Sequence, residues 1–180
     1  MDHVMADGEL RLVYPDVQYE TEYLLVQKEW EASGEEPAPW SLGLKSDGFE
    51  ALVQLLNGYR EGNDLPLGFV PFTVLWLVNQ SGALLGFIEI RHQLTEFLSF
   101  RGGHIGYGTR PSERRKGYAR RMLAMALGYC RSLGLGSVLI TCSKSNEGSR
   151  RTILANGGVL DSEDIEVSGE VFQRYWITLS

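Results

Sequence analysis

One segment of this 180-residue chain is the most informative, and it reads His104-Ile-Gly-Tyr-Gly-Thr-Arg-Pro-Ser-Glu-Arg-Arg-Lys-Gly-Tyr-Ala119. It predicts a strand over residues 104–110, a short basic loop after a proline, and a long helix that starts at Ser112 or Glu113. The free backbone N–H groups and the dipole of a helix N-terminus favour a phosphate group, and the loop glycine lets the backbone come close to it. The segment therefore predicts a pyrophosphate site between a strand and a helix.

The charge of the chain is unevenly distributed. Its formal net charge is −6, from 17 basic and 23 acidic residues. Residues 110–121 nevertheless contain a single acid, Glu113, and six bases: Arg110, Arg114, Arg115, Lys116, Arg120 and Arg121. One basic island in an acidic protein indicates one local anionic ligand and argues against a nucleic-acid partner.

Hydrophobic periodicity predicts the elements that precede this segment. A short strand over residues 9–14 is followed by a helix that Asp16 caps and that runs to about Trp30. A second helix is predicted to start near Asp47, where Glu50 completes a capping box.

From residue 69 onward the pattern indicates strands joined by turns and short helices. It predicts, around the segment quoted above, an antiparallel hairpin, a poorly determined connection, a buried strand, a short helix and two final strands. The hairpin strands lie over residues 69–79 and 83–92, and the connection over 94–103. The buried strand lies over 137–142, the short helix over 146–156, and the final strands over 159–167 and 170–179. A strand, a long helix and a further strand in the middle imply a parallel right-handed crossover. The predicted fold class is α/β, with a mixed sheet and helices on both faces.

Length and composition favour a single domain over residues 1–180. Hydrophobic residues make up 43% of the chain and charged residues 22%, both close to the globular average. Cys130 and Cys142 lack metal-ligand spacing, so no metal is expected. Residues 1–7 lack the basic and apolar regions of a signal peptide, and no apolar run approaches the roughly 20 residues of a membrane-spanning helix. We therefore expect a cytoplasmic protein without a membrane partner.

Two motifs resemble those of one known family. The stretch Arg114-Arg-Lys-Gly-Tyr-Ala119 is similar to the (Gln/Arg)-x-x-Gly-x-(Gly/Ala) loop of the GNAT N-acetyltransferases. The stretch from Asn146 to Gly158 resembles the Asn-led helix and terminal glycine that follow the fifth strand of that family. The resemblance implies the GNAT fold, in which a central, mostly antiparallel sheet contains a splayed parallel pair and has helices on both faces.

The resemblance also implies the cosubstrate and its site. GNAT enzymes transfer an acetyl group from acetyl-CoA to an amine. The loop amides would bind the CoA pyrophosphate, the strand end before the loop would pair with the pantetheine arm, and the Asn of the second motif would hydrogen-bond the pantetheine or a nearby backbone group. The expected cofactor-binding residues are Gly108, Thr109, Arg110, Arg114, Arg115, Lys116, Gly117, Tyr118, Ala119, Arg120, Asn146 and Ser149.

Direct attack of a neutral amine on a thioester needs a base, an oxyanion donor and an acid. The candidate bases are His104, Glu89 and His92. His104 starts the strand that leads into the cofactor loop, and the ordinary pKa of a histidine suits the task. A backbone N–H near Tyr107 or Gly108 would be the oxyanion donor.

The acid departs from the family pattern. Many GNAT enzymes have a Tyr seven residues after the motif Asn, and here Ile153 occupies that position. Ser149 lies one helical turn earlier and can hydrogen-bond the thiolate. Either Ser149 or a water would therefore have to serve as the acid.

The sequence leaves several acceptors and one non-catalytic role open. A small-molecule or amino-acid-like amine is favoured over a protein N-terminus or lysine. It would contact the first two helices, residues 94–103 and the last hairpin around Gln173, Arg174 and Tyr175. Because the family Tyr is missing, a non-catalytic acyl-CoA sensor on the same fold stays an alternative. Dimerisation is common in this family, so a homodimer is a further expectation.

Overall fold

The computed structural model describes residues 3–180, which contain eight strands and five α-helices. In chain order these are β1 (His3–Asp7), β2 (Leu10–Val13), α1 (Glu20–Ser33), α2 (Phe49–Gly58), β3 (Phe72–Val78), β4 (Leu84–Arg91), α3 (Glu96–Phe100), β5 (Ile105–Thr109), α4 (Tyr118–Ser132), β6 (Ser137–Ser143), α5 (Glu147–Ala155), β7 (Val159–Ile165) and β8 (Val171–Thr178). Met1 and Asp2, part of the stretch assessed for a signal peptide, lie outside the described residues. Among residues 3–180 no helix is both long and apolar enough to cross a membrane.

The strands form two antiparallel sheets, with the orders β1-β2-β3-β4-β5 and β6-β8-β7. The predicted hairpin is confirmed, because β3 pairs with β4 along its whole length. In the next ladder Glu89 of β4 lies opposite Gly106 of β5, and Phe87 lies opposite Gly108. Residues that face each other across a ladder project to the same face of the sheet, so this register decides what lies near Glu89.

The two sheets meet at one end of β5 and then separate. The His104 N–H donates to the Leu139 carbonyl oxygen at 2.7 Å, and an isolated antiparallel bridge joins Gly103 to Ile140. Beyond this point no ladder joins β5 to β6 in the described part of the chain. The two strands therefore separate after this contact, and the strand ladders of the described residues are all antiparallel. Their divergence leaves one edge of β5 without a neighbouring strand. This edge faces the space between the two sheets, which we call the cleft.

Helices cover both faces of the larger sheet. Met122 and Ala126 of α4 are fully buried on one face, whereas Tyr23 and Trp30 of α1 are buried on the other. All seven residues of β3 are buried because both of its faces are covered. This packing explains why the β3 sequence is continuously apolar instead of alternating.

Two details near the N-terminus differ from the sequence-based expectation. Periodicity did not predict β1, which pairs with β2 through a tight turn in which Gly8 has a φ of 59°. The expected capping box at Asp47 and Glu50 is wrong, because α2 is capped by Gly48, which offers no side chain. Asp16 does accept from the Gln18 N–H at 2.9 Å, although it caps a short 3-10 turn that leads into α1.

The long helix α4 begins later than its sequence predicted. The residues after Pro111 form a separate 3-10 turn, and the helix starts only at Tyr118. Arg115 and Gly117 both have left-handed backbones, with φ of 61° and 81°, which no residue inside an α-helix adopts. Arg110, Arg114, Arg115 and Lys116 therefore lie in an irregular loop that ends at the helix N-terminus, whereas Arg120 and Arg121 lie on the first helical turn.

Candidate active site

The open edge of β5 presents alternate backbone groups to the cleft. The Arg110 N–H donates to the Leu85 carbonyl at 2.9 Å, and the Arg91 N–H donates to the His104 carbonyl at 2.7 Å, so even-numbered residues of β5 point towards β4. In an antiparallel ladder the intervening residues point the other way. Tyr107 and Thr109 consequently direct their N–H and carbonyl groups into the cleft.

This alternation separates the residues that were expected to pair with pantetheine. Thr109 faces the open edge, whereas the backbone of Gly108 points towards β4. The Arg110 N–H is bonded to Leu85, and its carbonyl accepts from the Glu113 N–H at 2.9 Å. Tyr107, which the sequence suggested only as an oxyanion donor, lies on the same open edge as Thr109.

The basic loop, residues 110–117, carries the chain from this edge to the N-terminus of α4. Gly117 is the helix N-cap, and an added Cβ there would meet nothing within 4 Å. The N–H groups of Tyr118, Ala119 and Arg120 are the first of the helix and have no intrahelical acceptor. Three donors and the positive end of a 15-residue helix therefore point at one open position, which suits a phosphate group.

The six bases of residues 110–121 differ in whether they form an ion pair with an acid of the chain. Four of them are paired within the chain: Arg110 with Glu22 and Glu29, Arg114 with Glu35, Lys116 with Glu113, and Arg121 with Asp7. Arg115 and Arg120 have no ion-pair partner within residues 3–180. Hydrogen bonds from Arg110 lower the pKa of Glu29, so this pair stays ionised at neutral pH. Arg115 and Arg120 are thus the bases that remain available to an added anion.

The loop after α1 lies across the α1 face of β5. An added Cβ on Gly108 would come within 2.0 Å of the Ala38 carbonyl oxygen, and one on Gly106 within 3.8 Å of Pro39. Glycine is needed at position 108 because the backbone of this loop approaches β5 too closely for any side chain. Gly106 and Gly108 thus make room for part of the chain itself.

Glu89 is a buried carboxylate at the centre of the site, with 1% of its surface exposed. Its Oε1 accepts a hydrogen bond from the Ser41 N–H, and its Oε2 accepts one from Arg91 Nη2 at 3.1 Å. Arg91 in turn donates from Nη1 to the Gly102 carbonyl at 3.2 Å. A buried charge is tolerated when it is paired in this way, so Glu89 is held by groups on both sides.

A pocket of about 210 Å³ opens above Glu89 and Arg91. We call it the aromatic pocket, because its walls include the side chains of Trp40, Phe69, Phe72 and Phe97. Phe97 is 70% exposed, so this wall of the pocket borders solvent. The sequence indicated residues 94–103 as a poorly determined connection that would contact the acceptor; in the structure this segment contains helix α3, which forms one wall of the pocket that holds Glu89.

Each of the two histidines near the site has one ring nitrogen hydrogen-bonded to a group other than Glu89. His104 Nδ1 accepts from the Leu139 N–H at 2.9 Å, and burial lowers the pKa of His104 to about 4. Because its only lone-pair nitrogen is occupied, this neutral ring is suited to joining β5 to β6 and poorly placed to take up a proton. His92 Nε2 is bonded to Thr73 Oγ1 at 2.8 Å on the α4 side of the sheet, away from Glu89.

On the cleft side, Ser149 of α5 meets Tyr107 of β5. The Tyr107 hydroxyl lies 2.8 Å from Ser149 Oγ, and burial raises the pKa of Tyr107 to about 12, so the phenol keeps its proton at neutral pH. Asn146 caps α5 by accepting from the Ser149 N–H at 3.0 Å. Ile153, at the family Tyr position, is fully buried in the core. Sequence reasoning did not connect Tyr107 with Ser149, because the two are distant in the chain.

The last hairpin does not border the aromatic pocket. Gln173 is bonded to Glu163 and Tyr175, while Arg174 forms an ion pair with Asp164 at 2.8 Å. Arg174 lines a separate open groove beside α3. In residues 3–180 no group of His, Cys, Asp or Glu side chains is arranged to hold a metal ion.

Comparison with known proteins agrees with this geometry. The model of the acetyltransferase (GNAT) domain matches residues 15–159. No match was found among curated proteins. The chain therefore belongs to the GNAT acetyltransferase family.

Solved structures share the fold at low sequence identity. The microcin C7 self-immunity acetyltransferase MccE, solved with acetyl-CoA and AMP, is 17% identical with a TM-score of 0.66, and the alignment covers 96% of this chain and 93% of that one. The putative acetyltransferase yncA of Salmonella typhimurium, solved with acetyl-CoA, is 14% identical with a TM-score of 0.65, covering 96% and 95%. The ribosomal-protein-S5-alanine acetyltransferase of Vibrio fischeri is 15% identical with a TM-score of 0.67, covering 97% and 96%.

Proposed function

We propose that this chain transfers an acetyl group from acetyl-CoA to a primary amine, and that residues 1–180 act as a single GNAT domain. The observation that carries the proposal is the open edge of β5, which leads directly to the free amides at the start of α4. Membership of the GNAT family supports the transfer chemistry. The acetyl-CoA in two of the similar structures supports the donor.

In this proposal the pyrophosphate of CoA lies against the N–H groups of Tyr118, Ala119 and Arg120. The helix dipole favours negative charge there, and Gly117 leaves the approach free of side-chain atoms. Arg115 and Arg120 are the bases that meet phosphate oxygens, because they have no ion-pair partner to give up among the described residues.

The pantetheine arm then follows the open edge of β5. Its amides pair with the backbone of Thr109, in the manner of an additional strand, which directs the thioester towards Tyr107. The Tyr107 N–H points into the cleft and is placed to donate to the oxygen of the reacting carbonyl. Asn146 and Ser149 line the other side of the arm at the start of α5.

Glu89 is the proposed base and Ser149 the proposed acid. A neutral amine attacks the acetyl carbon, so that a C–N bond forms and the C–S bond breaks. The proton that the amine nitrogen loses passes to Glu89. The leaving thiolate receives a proton from Ser149 Oγ, which lies 2.8 Å from the Tyr107 hydroxyl. This hydroxyl pair regains a proton from solvent, to which Glu89 releases the one that it accepted. His104 is not used in this mechanism, because its Nδ1 is already bonded to Leu139.

A small amine is the favoured acceptor, because the pocket beside Glu89 is small. Similar structures carry different acceptors in their names, among them spermidine and the alanine of ribosomal protein S5. A protein N-terminus or lysine, and a non-catalytic acyl-CoA sensor, are the competing proposals. The homodimer stays a prediction, which light scattering after size-exclusion chromatography tests; one similar spermidine acetyltransferase is described as dodecameric.

Titration calorimetry with acetyl-CoA, CoA and dephospho-CoA tests the donor site first. We expect micromolar binding of acetyl-CoA and weaker binding of dephospho-CoA. Release of CoA thiol in the presence of a panel of amines then tests transfer. Binding without release by any amine would support the sensor, and an absence of binding would remove the cofactor proposal altogether.

A further inference from the structure

The floor of the aromatic pocket carries one negative and one positive side chain in direct contact. Glu89 Oε2 and Arg91 Nη2 are 3.1 Å apart, and their side chains are 2% and 19% exposed. Removing two charges from water is costly even when they are paired. A pair retained at the floor of an apolar pocket therefore points to a ligand that uses both charges.

Both groups keep unused hydrogen-bonding capacity. A carboxylate offers about four acceptor sites, and Glu89 uses one for Ser41 and one for Arg91. A guanidinium has five N–H donors, and Arg91 directs three of them to Glu89, Gly102 and Gly103. Two donors of Arg91 thus have no acceptor within residues 3–180. The floor can accept from an ammonium group and donate to a carboxylate at neighbouring positions.

The rest of the pocket is apolar and small. Trp40, Phe69, Phe72 and Phe97 form its walls, with Leu98 beside them. Its volume of about 210 Å³ is below the roughly 300–1,000 Å³ of pockets that take drug-sized ligands. The occupant is therefore a small molecule with one apolar substituent next to its charged groups.

We propose that the acceptor is a free α-amino acid with an apolar or aromatic side chain, bound as a zwitterion in the aromatic pocket. The ammonium lies at Glu89, the carboxylate at Arg91, and the side chain between the aromatic walls. This inference rests on the proposed acetyl transfer. It names a substrate class for that reaction and gives Arg91 a role in specificity.

The same floor discriminates against the competing amines. A polyamine carries further positive charges, which Arg91 repels and for which the pocket provides no second carboxylate. An amine without a carboxylate leaves the spare donors of Arg91 without a partner, and a peptide N-terminus offers them only a neutral carbonyl oxygen, which is a weaker acceptor than a carboxylate. A site built to hydrogen-bond one group rejects analogues that lack it more strongly than an apolar pocket rejects a change of size.

The arrangement also prepares the nucleophile. Glu89 accepts one proton from the bound ammonium and releases it to solvent, which leaves the amine nitrogen neutral. The neutral nitrogen attacks the acetyl carbon, the C–N bond forms and the C–S bond breaks. As the amide forms, the nitrogen loses a second proton, and the CoA thiolate gains one proton to become a thiol, so the two changes balance. The products are an N-acetyl amino acid and CoA.

The test compares kcat/KM across matched acceptors with the full-length protein and acetyl-CoA, followed by thiol release. The acceptors are phenylalanine, leucine, phenylalanine amide, phenethylamine, spermidine and a peptide that begins with phenylalanine. We expect phenylalanine to exceed phenethylamine and the amide by about ten- to a hundredfold, the range for a hydrogen bond between charged groups. Equal or faster reaction of phenethylamine, spermidine or the peptide would overturn the proposal.

Two variants test the residue assignments. Arg91→Gln is expected to remove the preference for phenylalanine over phenethylamine. Phe97→Ala is expected to raise the KM for phenylalanine. Leu67 is fully exposed and does not line the pocket, so the control variant Leu67→Ala is expected to leave this KM unchanged. If Arg91→Gln does not fold, the comparison of acceptors with the unmodified protein still tests whether a free amino acid is the preferred acceptor. Absence of acetyl-CoA binding would instead contradict the proposed function, so the two failures are distinguishable.

Discussion

Arg114 and Glu35 form a two-bonded ion pair that joins the basic loop to the loop after α1. Arg114 Nη2 lies 2.6 Å from Glu35 Oε2, and Nη1 lies 2.9 Å from Oε1. The guanidinium also stacks 5.7 Å from the ring centre of Trp30. The segment fastened in this way continues through Ala38, which lies on Gly108, to Ser41, which donates to Glu89. The loop beside the proposed CoA site is thus connected to the proposed base.

We expect Glu35→Ala to tighten acetyl-CoA binding by up to about fivefold. The hydrogen bonds to Arg114 lower the pKa of Glu35, so the carboxylate is charged at neutral pH and competes with phosphate for Arg114. The pair is exposed, so its loss changes affinity only modestly and the effect fades at high salt. Calorimetry at low and high salt measures this, with Glu36→Ala as the control. Weaker acetyl-CoA binding by Glu35→Ala would contradict this expectation and would mean that the ion pair holds Arg114 and the basic loop in the binding conformation.

Gly117→Glu is expected to abolish acetyl-CoA binding. The substitution places a carboxylate at the N-terminus of α4, where the CoA pyrophosphate is proposed to lie. Because Gly117 has a φ of 81°, any side chain there also strains the backbone. Gly117→Gln carries the same strain without the charge, and we expect it to retain measurable binding in calorimetry. Equal affinities for the two variants would place the phosphate elsewhere.

Arg115→Ala and Arg120→Ala are expected to weaken CoA binding, and at least one of them to reduce the preference for CoA over dephospho-CoA. A charged hydrogen bond to phosphate contributes about 1.5–3 kcal/mol, which corresponds to about ten- to a hundredfold in affinity. Arg121→Ala is the matched control, because Arg121 is already paired with Asp7 at 2.7 Å. An effect confined to Arg121 would contradict the assignment of the unpaired bases.

Glu89→Gln is expected to lower kcat by about a hundred- to ten-thousandfold, the usual contribution of a general base. The amide can still accept from the Ser41 N–H, so acetyl-CoA affinity is expected to be nearly unchanged, whereas the free energy of unfolding is expected to decrease because Arg91 loses its buried counter-charge. Glu96→Gln, on the nearby helix α3, is the control. A variant with normal kcat at saturating amine would remove Glu89 from the mechanism.

His104 is expected to make folding sensitive to acid. Burial, followed by the charge of Arg91, lowers the pKa of His104 from the usual 6.5 to about 4 in the folded protein. The unfolded chain therefore binds more protons between these values, and the free energy of unfolding decreases as the pH falls from about 6.5 towards 4. The difference corresponds to about 3 kcal/mol. Urea unfolding at several pH values measures it, and His104→Gln should flatten this dependence.

The His104 variant also separates the two candidate bases. If His104 only joins β5 to β6, folded His104→Gln keeps most of its kcat. A loss of kcat as large as that of Glu89→Gln, in protein shown to be folded by circular dichroism, would favour His104 as the base.

Local sequence determined the elements and the family of this protein. The hairpin of β3 and β4, the order of the later elements and the splay beside β5 follow from periodicity and from two short motifs. Turn residues and the spacing of apolar residues are properties of a few neighbouring positions, so the sequence alone is enough to predict the elements that they define. The basic loop was predicted for the same reason, because Gly117 and the residues around it are contiguous.

Tertiary structure alone decided which of those residues are available for chemistry. The six bases of residues 110–121 look equivalent in the sequence, yet three of them pair with acids that are distant in the chain, among them Asp7, Glu22 and Glu35, and Lys116 pairs with the nearby Glu113. The sequence makes His104 a candidate base, and it does not reveal that Nδ1 of this residue accepts a hydrogen bond from the Leu139 N–H. Ion pairing, burial and lone-pair occupancy depend on atoms brought together from remote parts of the chain, and no local pattern records them.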